Sequence, residues 1–256
     1  MKLRWLGTAG FELRSGDTVL LLDPYLTRNE RARPVQPLHA DDFKEADAIL
    51  VTHGHFDHTY DVPRIAINTG ARVICPGGVC NSLRRRSAPW NQVQPLEPYG
   101  KLEIGDISVT ALPSRHVDFD APLVLKTLAR SFTRMPEIAT LGVTRFPLGG
   151  VFIYLLEVEG KRILHMGSAH LEPGIAEKVA PVDVFLVPVQ GRSDIQELAV
   201  RLTKEIKPVL AIPHHHDSFY PPLSQMVDLH RYLAGVAREV PGTMVVEPHL
   251  NRWMEL

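Results

Sequence analysis

The sequence predicts an α/β fold, and three observations indicate it. Short apolar runs that favour strands alternate with segments of helical character, as in the strand 48–51, the helix 62–68 and the strand 72–75. The chain of 256 residues is long enough to bury a sizeable core. No linker, internal repeat or low-complexity segment divides it, so we expect one domain over residues 1–256.

In the first half of the chain, apolar runs of four to six residues predict the strands. The run 18–22 is typical, because it is apolar and ends at Asp23-Pro24, a turn-forming pair. Residues 26–40 contain several Arg and Pro without a clear period, which predicts a loop. The predicted strands are 2–6, 10–14, 18–22, 48–51, 72–75, 93–96, 101–104 and 107–112, and the predicted helices are 41–46, 62–68 and 78–86.

The second half repeats this alternation after a junction near residues 145–150. Gly160 separates two apolar runs and predicts a hairpin, and Asp194 is a suitable N-cap for a following helix. The predicted strands are 151–158, 162–166, 182–189, 209–212 and 244–247, and the predicted helices are 194–206 and 223–238.

An insertion between the halves, at about 117–150, has two patterns on one predicted helix. Apolar residues recur at i, i+3, i+4 and i+7, and cationic residues recur at i, i+4 and i+8. We interpret the helix as a lid or pocket wall that selects an apolar or anionic substrate. An ordinary amphipathic helix or a dimer contact is the alternative, which leaves a homo-oligomer open. The apolar set is Leu125, Leu128, Ala129 and Phe132, and the cationic set is Lys126, Arg130 and Arg134.

Composition excludes some classes of partner. A formal net charge of -1 provides no general attraction to nucleic acid or to an acidic membrane. The N-terminus lacks the apolar region of a secretory signal, and no apolar run is long enough to span a bilayer. We therefore expect a cytoplasmic protein that acts on a small molecule, with Cys75 and Cys80 as buried thiols.

The most informative motif is His53-Gly54-His55-Phe56-Asp57-His58, which follows the predicted strand 48–51. A strand end fixes where the following side chains point, so three imidazoles and a carboxylate in six residues can converge on a metal ion. Imidazole nitrogen suits zinc, and a carboxylate oxygen also admits manganese or iron. A histidine-rich polar loop without metal is the alternative, but the density of donors favours a metal site.

This hexad resembles the His-x-His-x-Asp-His signature of the metallo-β-lactamase superfamily, and the resemblance covers nearly the whole chain. The nearest branch is similar to the ascorbate-6-phosphate lactonase and the N-acyl-phosphatidylethanolamine phospholipase D. The resemblance implies a four-layer αβ/βα sandwich, in which two mixed sheets lie face to face, flanked by helices, with the site along one edge.

The resemblance also implies the metal ligands. His53, His55 and His116 would bind a first ion, and Asp57, His58 and His215 a second. His214 and His216 are neighbouring donors that could instead bind the substrate or replace His215. Asp23 would hold a ligand histidine through its second ring nitrogen, or would simply form the turn before Pro24.

One position departs from the family pattern. The bridging Asp of the family is replaced by Ser168, a poorer metal ligand, so we expect a weakened second site. His170 could substitute for the missing carboxylate. The expected cofactor is therefore one or two Zn²⁺ ions, with Mn²⁺ or Fe²⁺ as alternatives.

The predicted reaction is attack by a metal-bound hydroxide on an ester, lactone or phosphodiester, because a metal can lower the pKa of bound water to about 7. Asp57 is the expected general base, with His58 beside it as a catalytic residue. No phosphate-binding glycine loop or serine nucleophile motif is present. The alternatives are a metal-binding scaffold without activity and, less favoured, a di-iron redox protein. Four histidines without a motif are interpreted as structural: His39, His165, His230 and His249.

Overall fold

Two seven-stranded sheets carry the fold in the computed structural model, which describes the backbone of residues 1–256 and all side chains except those of residues 137, 140 and 143. The strands are β1 (Lys2–Gly7), β2 (Gly10–Ser15), β3 (Thr18–Leu22), β4 (Ala48–Leu50), β5 (Arg72–Pro76), β6 (Val93–Leu96), β7 (Lys101–Ile104), β8 (Ile107–Ser114), β9 (Val151–Val158), β10 (Lys161–Met166), β11 (Val184–Pro188), β12 (Leu210–His214), β13 (Met244–Val245) and β14 (Trp253–Glu255). The α-helices are α1 (Phe56–Thr59), α2 (Val62–Thr69), α3 (Gly77–Arg85), α4 (Ala121–Ser131), α5 (Met135–Leu141), α6 (Ile175–Val179), α7 (Ile195–Ile206) and α8 (His230–Glu239).

Both sheets are mixed. The first has the order β14-β1-β2-β3-β4-β5-β6, with parallel pairing from β3 to β6 and antiparallel pairing elsewhere. The second has the order β13-β12-β11-β10-β9-β8-β7 and is parallel from β10 to β13. Parallel strands need crossover connections, which helices supply on the outer faces.

Three apolar clusters show that these elements form four layers. The central cluster combines side chains of both sheets, such as Trp5 and Tyr154, and therefore lies between them. A second cluster packs α2 and α3 on the outer face of the first sheet, and a third packs α6, α7 and α8 on the second. The predicted αβ/βα sandwich is confirmed. Cys75 and Cys80 are free and buried in the second of these clusters, with their Sγ atoms 3.1 Å apart.

Some predicted elements are wrong. Instead of a helix over 41–46, the chain forms one 3-10 turn at Ala40–Asp42. The last helix begins at His230 rather than at residue 223, because the preceding residues form a loop. In this loop, Val227 N donates to His216 O at 2.8 Å. The helices α1 and α6 and the edge strand β14 are too short to have a recognisable period and were not predicted.

The insertion between β8 and β9 contains α4 and α5 with short 3-10 turns, rather than one helix. Part of its predicted apolar stripe faces solvent, since Leu125 is 66% and Phe132 80% exposed. Its returning segment crosses the histidine motif, where Gly54 N donates to Leu148 O at 2.9 Å. A Cβ at Gly54 would lie 2.0 Å from Pro147 O, so only glycine permits this crossing.

Within the described residues, no helix combines the length and the apolar character needed to cross a membrane.

Candidate metal centre

The donor-bearing residues lie where β3, β4, β8 and β12 end. Parallel pairing places the carboxyl ends of β3 and β4 side by side, which brings Asp23 next to the histidine motif. The other sheet contributes His116 after β8 and His215 after β12. The face-to-face packing of the two sheets therefore assembles residues that are more than 150 positions apart in sequence.

The first donor group consists of His53, His55 and His116. Each offers one ring nitrogen, and these atoms lie within 4.8 Å of one another. His53 Nε2 faces His55 Nδ1 at 3.2 Å, and the ring centroids of His55 and His116 are 4.6 Å apart. Burial is the main reason why the pKa of each of these imidazoles is lowered, and the pKa of His55 falls to about 4. The three rings are therefore neutral near pH 7.

Backbone and side-chain contacts fix the tautomers of His116 and His53. His116 Nδ1 donates to Val117 O at 2.7 Å, which leaves its Nε2 lone pair free to bind a cation. Thr52 Oγ1 donates to Asp23 Oδ2 at 2.6 Å, so it accepts from His53 Nδ1 at 3.0 Å. The second nitrogen of His53 is then likewise an acceptor.

The second donor group consists of Asp57, His58 and His215, again with the donor atoms within 4.8 Å of one another. Asp57 and His58 lie on α1, the short helix that starts directly after His55. His215 Nε2 lies 3.2 Å from Asp57 Oδ2. Burial raises the pKa of Asp57, but the charges of His58 and His215 outweigh it and hold this pKa well below its ordinary value.

The two groups are adjacent, because the ring centroids of His53 and His58 are 3.9 Å apart. Donors of this kind fit a metal ion, because nitrogens dominate the set and one carboxylate lies among them. The second ring nitrogens of His53, His58, His116 and His215 have partners outside the donor set. Of the three consecutive histidines, only His215 lies in a donor group. His214 is fully buried against Phe11, and His216 stacks on Trp5 at a centroid distance of 4.6 Å.

Asp23 lies behind His58, a member of the second donor group. Its fully buried carboxylate accepts from Thr52 N at 2.7 Å and from His58 Nδ1 at 2.8 Å. Burial raises the pKa of Asp23, but attraction to His58 and hydrogen bonds from His165 and His58 lower it more strongly. The carboxylate is therefore ionised and holds the Nε2 atom of His58 toward the second donor group.

Two supporting residues were missed by sequence reasoning. His165, interpreted above as purely structural, has its Nε2 3.4 Å from Asp23 Oδ2 and is buried beneath the site. Gln190 Oε1 lies 3.0 Å from His215 Nδ1 and fixes the orientation of that ring. Neither residue belongs to a local motif. The one weak signal in the sequence is their position at the end of an apolar strand, since His165 is the second-last residue of β10 and Gln190 follows β11 by two residues.

Ser168 and His170 lie outside both donor groups. Ser168 Oγ accepts from Val117 N at 2.9 Å, and it therefore positions the segment that follows His116. His170 Nε2 lies 3.4 Å from Glu172 Oε1 and is directed to that carboxylate instead of the donor groups. His39, His230 and His249 also lie outside the two groups.

A cavity of about 800 Å³ opens over the donors, and we name it the metal cavity. Its floor includes His55, Asp57 and His116, and α4 of the insertion supplies part of its wall, including Leu123 and Arg130. The insertion thus lies directly above the candidate metal centre.

The comparisons with known proteins agree with this geometry. The model of the beta-lactamase superfamily domain matches residues 2–215, which includes both donor groups. The chain belongs to the beta-lactamase superfamily. Within it, a UPF0173 metal-dependent hydrolase from Carboxydothermus hydrogenoformans is 33% identical over 255 residues, covering 96% of this chain and 100% of the relative. The chain is therefore a member of this family of metal-dependent hydrolases.

Solved structures with low sequence identity to this chain share its fold. Igni18, a metallo hydrolase from Ignicoccus hospitalis, has a TM-score of 0.70 and 19% identity, covering 100% of this chain and 98% of that chain. CmlA, a diiron beta-hydroxylase from Streptomyces venezuelae, has a TM-score of 0.69 and 17% identity, covering 100% of this chain and 54% of the other. At such identities the likeness is one of fold, which accommodates both hydrolytic and redox chemistry.

Proposed function

We propose that this protein is a metal-dependent hydrolase that cleaves an ester, lactone or phosphodiester bond of a small molecule. The observation that carries the proposal is the pair of adjacent donor groups on the floor of a large cavity. Membership of a family of metal-dependent hydrolases supports the same conclusion.

His53, His55 and His116 would hold one cation, and Asp57, His58 and His215 would hold a second. The nitrogen-rich donor set favours zinc, and the Asp57 oxygen makes Mn²⁺ or Fe²⁺ the alternatives. When bound, such a cation supplies Lewis acidity and makes water nucleophilic near neutral pH. Ser168 supplies no bridging carboxylate, so the second cation would bind more weakly than the first.

Asp57 and His58 are the proposed catalytic residues. Asp57 is ionised at neutral pH, which is the state a general base needs, and among the described residues it is the one carboxylate in the two donor groups. His58 Nε2 lies 3.8 Å from the same carboxylate, and Asp23 fixes the His58 ring from behind. These contacts hold the base in place without depending on the substrate.

The insertion would act as the lid of a single domain over residues 1–256. Its wall residues make the metal cavity partly apolar and partly cationic, with Leu123 and Arg130 as examples. We therefore propose an anionic or amphiphilic substrate.

The test combines metal analysis with activity. Protein purified without chelator should contain at least one equivalent of metal per chain and should hydrolyse some members of a panel of lactones, carboxylic esters and phosphodiesters. His116→Ala should lose metal and activity together, and Asp57→Asn should lose at least a hundredfold in kcat. His230→Gln, an exposed histidine outside the donor groups, is the matched control and should behave like wild type.

A metal-loaded protein that is inactive on the whole panel would contradict the proposal and would support a binding scaffold. Iron at the site together with oxygen-dependent turnover would contradict it in favour of redox chemistry.

A further inference from the structure

A second cavity, of about 680 Å³, adjoins the metal cavity, and we name it the arginine groove. Four arginines line it, and no Asp or Glu is among its described lining residues. Arginine side chains that line a surface groove attract anions. The four arginines are Arg31, Arg33, Arg130 and Arg134.

Arg130 connects the two cavities, because it lines both of them, together with Gln225 and Met226. Its Nη2 donates to Thr127 Oγ1 at 3.3 Å, but its Nε and Nη1 are buried without a hydrogen-bond partner in the described structure. Burial lowers the pKa of Arg130. A buried charged donor without an acceptor is costly, so this guanidinium is suited to an acceptor supplied by a ligand.

The guanidinium of Arg33 is bound to neutral backbone oxygens, so these contacts do not compensate its positive charge. Its Nη1 donates to Ala32 O at 2.6 Å and to Glu30 O at 3.1 Å. Among the described residues, Arg130 likewise contacts a hydroxyl oxygen, that of Thr127, and no carboxylate. By contrast, Arg192 in the metal cavity is paired with Asp194 at 2.7 Å.

The groove is also fixed relative to the metal donors. Arg33 N donates to Ser218 O, and Ser218 N donates to Arg33 O, both at 2.9 Å. Ser218 follows His215 by three residues, so the arginine loop and the ligand turn form one connected unit. A bound anion would therefore have a defined position relative to the scissile bond.

We infer that the arginine groove is an anion subsite in which Arg130, with Arg33 and Arg134, binds an oxyanion of the substrate. The substrate is then an elongated amphiphile: its anionic end lies in the groove, and its apolar part with the scissile bond lies in the metal cavity. A planar guanidinium suits either a phosphate or a carboxylate, because both accept two parallel hydrogen bonds. This inference rests on the proposed function for the location of the scissile bond.

The test uses octylphosphonic acid, which has no hydrolysable ester, and isothermal titration calorimetry on the metal-loaded protein. Arg130→Gln should weaken binding about 10- to 100-fold, and Arg130→Lys should restore only part of it, because a bidentate contact is lost. Arg85→Gln, which removes one exposed charge outside both cavities, is the matched control. The neutral dimethyl ester of the probe should bind equally to wild type and Arg130→Gln.

The phosphonate could instead bind at the metal donors, and His116→Ala distinguishes the two sites. Binding that survives His116→Ala but is lost in Arg130→Gln supports the subsite. Binding that is lost in His116→Ala and unchanged in Arg130→Gln overturns it. Should Arg130→Gln fail to fold, Arg33→Gln/Arg134→Gln applies the same test from the other side of the groove.

A parallel titration with decanoate identifies the preferred anion: tighter phosphonate binding indicates a phosphate group, and tighter decanoate binding indicates a carboxylate. If the protein hydrolyses no substrate of the panel but binds the phosphonate in an Arg130-dependent way, the hydrolase proposal is overturned and the anion subsite is supported.

Discussion

The buried carboxylate of Asp23 allows a sharp test of how the metal centre is held. Asp23→Asn keeps the size of the side chain and suits the backbone, because Asp23 has a φ of 38°, which Asn tolerates. It removes the negative charge from an oxygen that is 2.6 Å from Thr52 Oγ1 and 2.8 Å from His58 Nδ1. The wild-type carboxylate can accept from Thr52, His58 and His165 at once, whereas an amide has a single acceptor oxygen.

We expect the substitution to weaken metal binding 10- to 100-fold, which is about 1.4 to 2.7 kcal/mol. The reason is that His58, which contacts Asp23 directly, would lose its fixed ring orientation and tautomer. His53 would lose them as well, because Thr52 connects it to Asp23. Competition with a chromophoric chelator, followed by optical titration, measures this affinity directly.

Glu12→Gln is the matched control. Glu12 is also a fully buried carboxylate, but its partners are Arg4 and Arg14 in the first sheet, away from the donor groups. Glu12→Gln should lower the free energy of unfolding without changing metal affinity. Asp23→Asn with wild-type affinity, or an equal loss of affinity in both variants, would refute the reasoning.

Three further predictions follow from the same geometry. Gly54→Ala should destabilise the protein by about 1 to 3 kcal/mol in urea unfolding, because the added Cβ would lie 2.0 Å from Pro147 O. Gly77→Ala is the control and should leave the stability unchanged, because a Cβ at Gly77 would have no atom within 4 Å. The free energy of unfolding of the metal-free protein should fall by about 2 kcal/mol as the pH drops from about 6.5 to 4. The reason is that the pKa of His55 is lowered to about 4 in the folded chain, so the unfolded chain binds more protons in this range. A His55→Gln variant with the same pH dependence as wild type would contradict this prediction. Ser168→Asp should tighten the second step of zinc binding about tenfold in equilibrium dialysis, and an unchanged second step would count against the weakened-site proposal.

Much of the fold was accessible from the sequence because its strands are short, apolar and closed by turn residues. The histidine motif follows β4 as predicted, and the paired runs around Gly160 form the predicted hairpin. The helices α1 and α6, of four and five residues, were not accessible, since one helical turn has too few positions to define a period. The helix α1 shows the consequence: Asp57 and His58 were predicted as site residues, but not the helical turn on which they lie.

By itself, the sequence determined which donor groups the chain can offer to a metal ion: it placed imidazoles and a carboxylate directly after a rigid apolar strand. Only the tertiary structure decided which donors meet. It selected His215 rather than His214 or His216, recruited His165 and Gln190 as supports, and left His170 directed to Glu172. It also joined α4 to the loop of Arg33, and so formed a groove that no local pattern predicts. The physical reason is that metal binding and anion binding depend on distances between side chains, and sheet packing sets those distances between residues far apart in sequence.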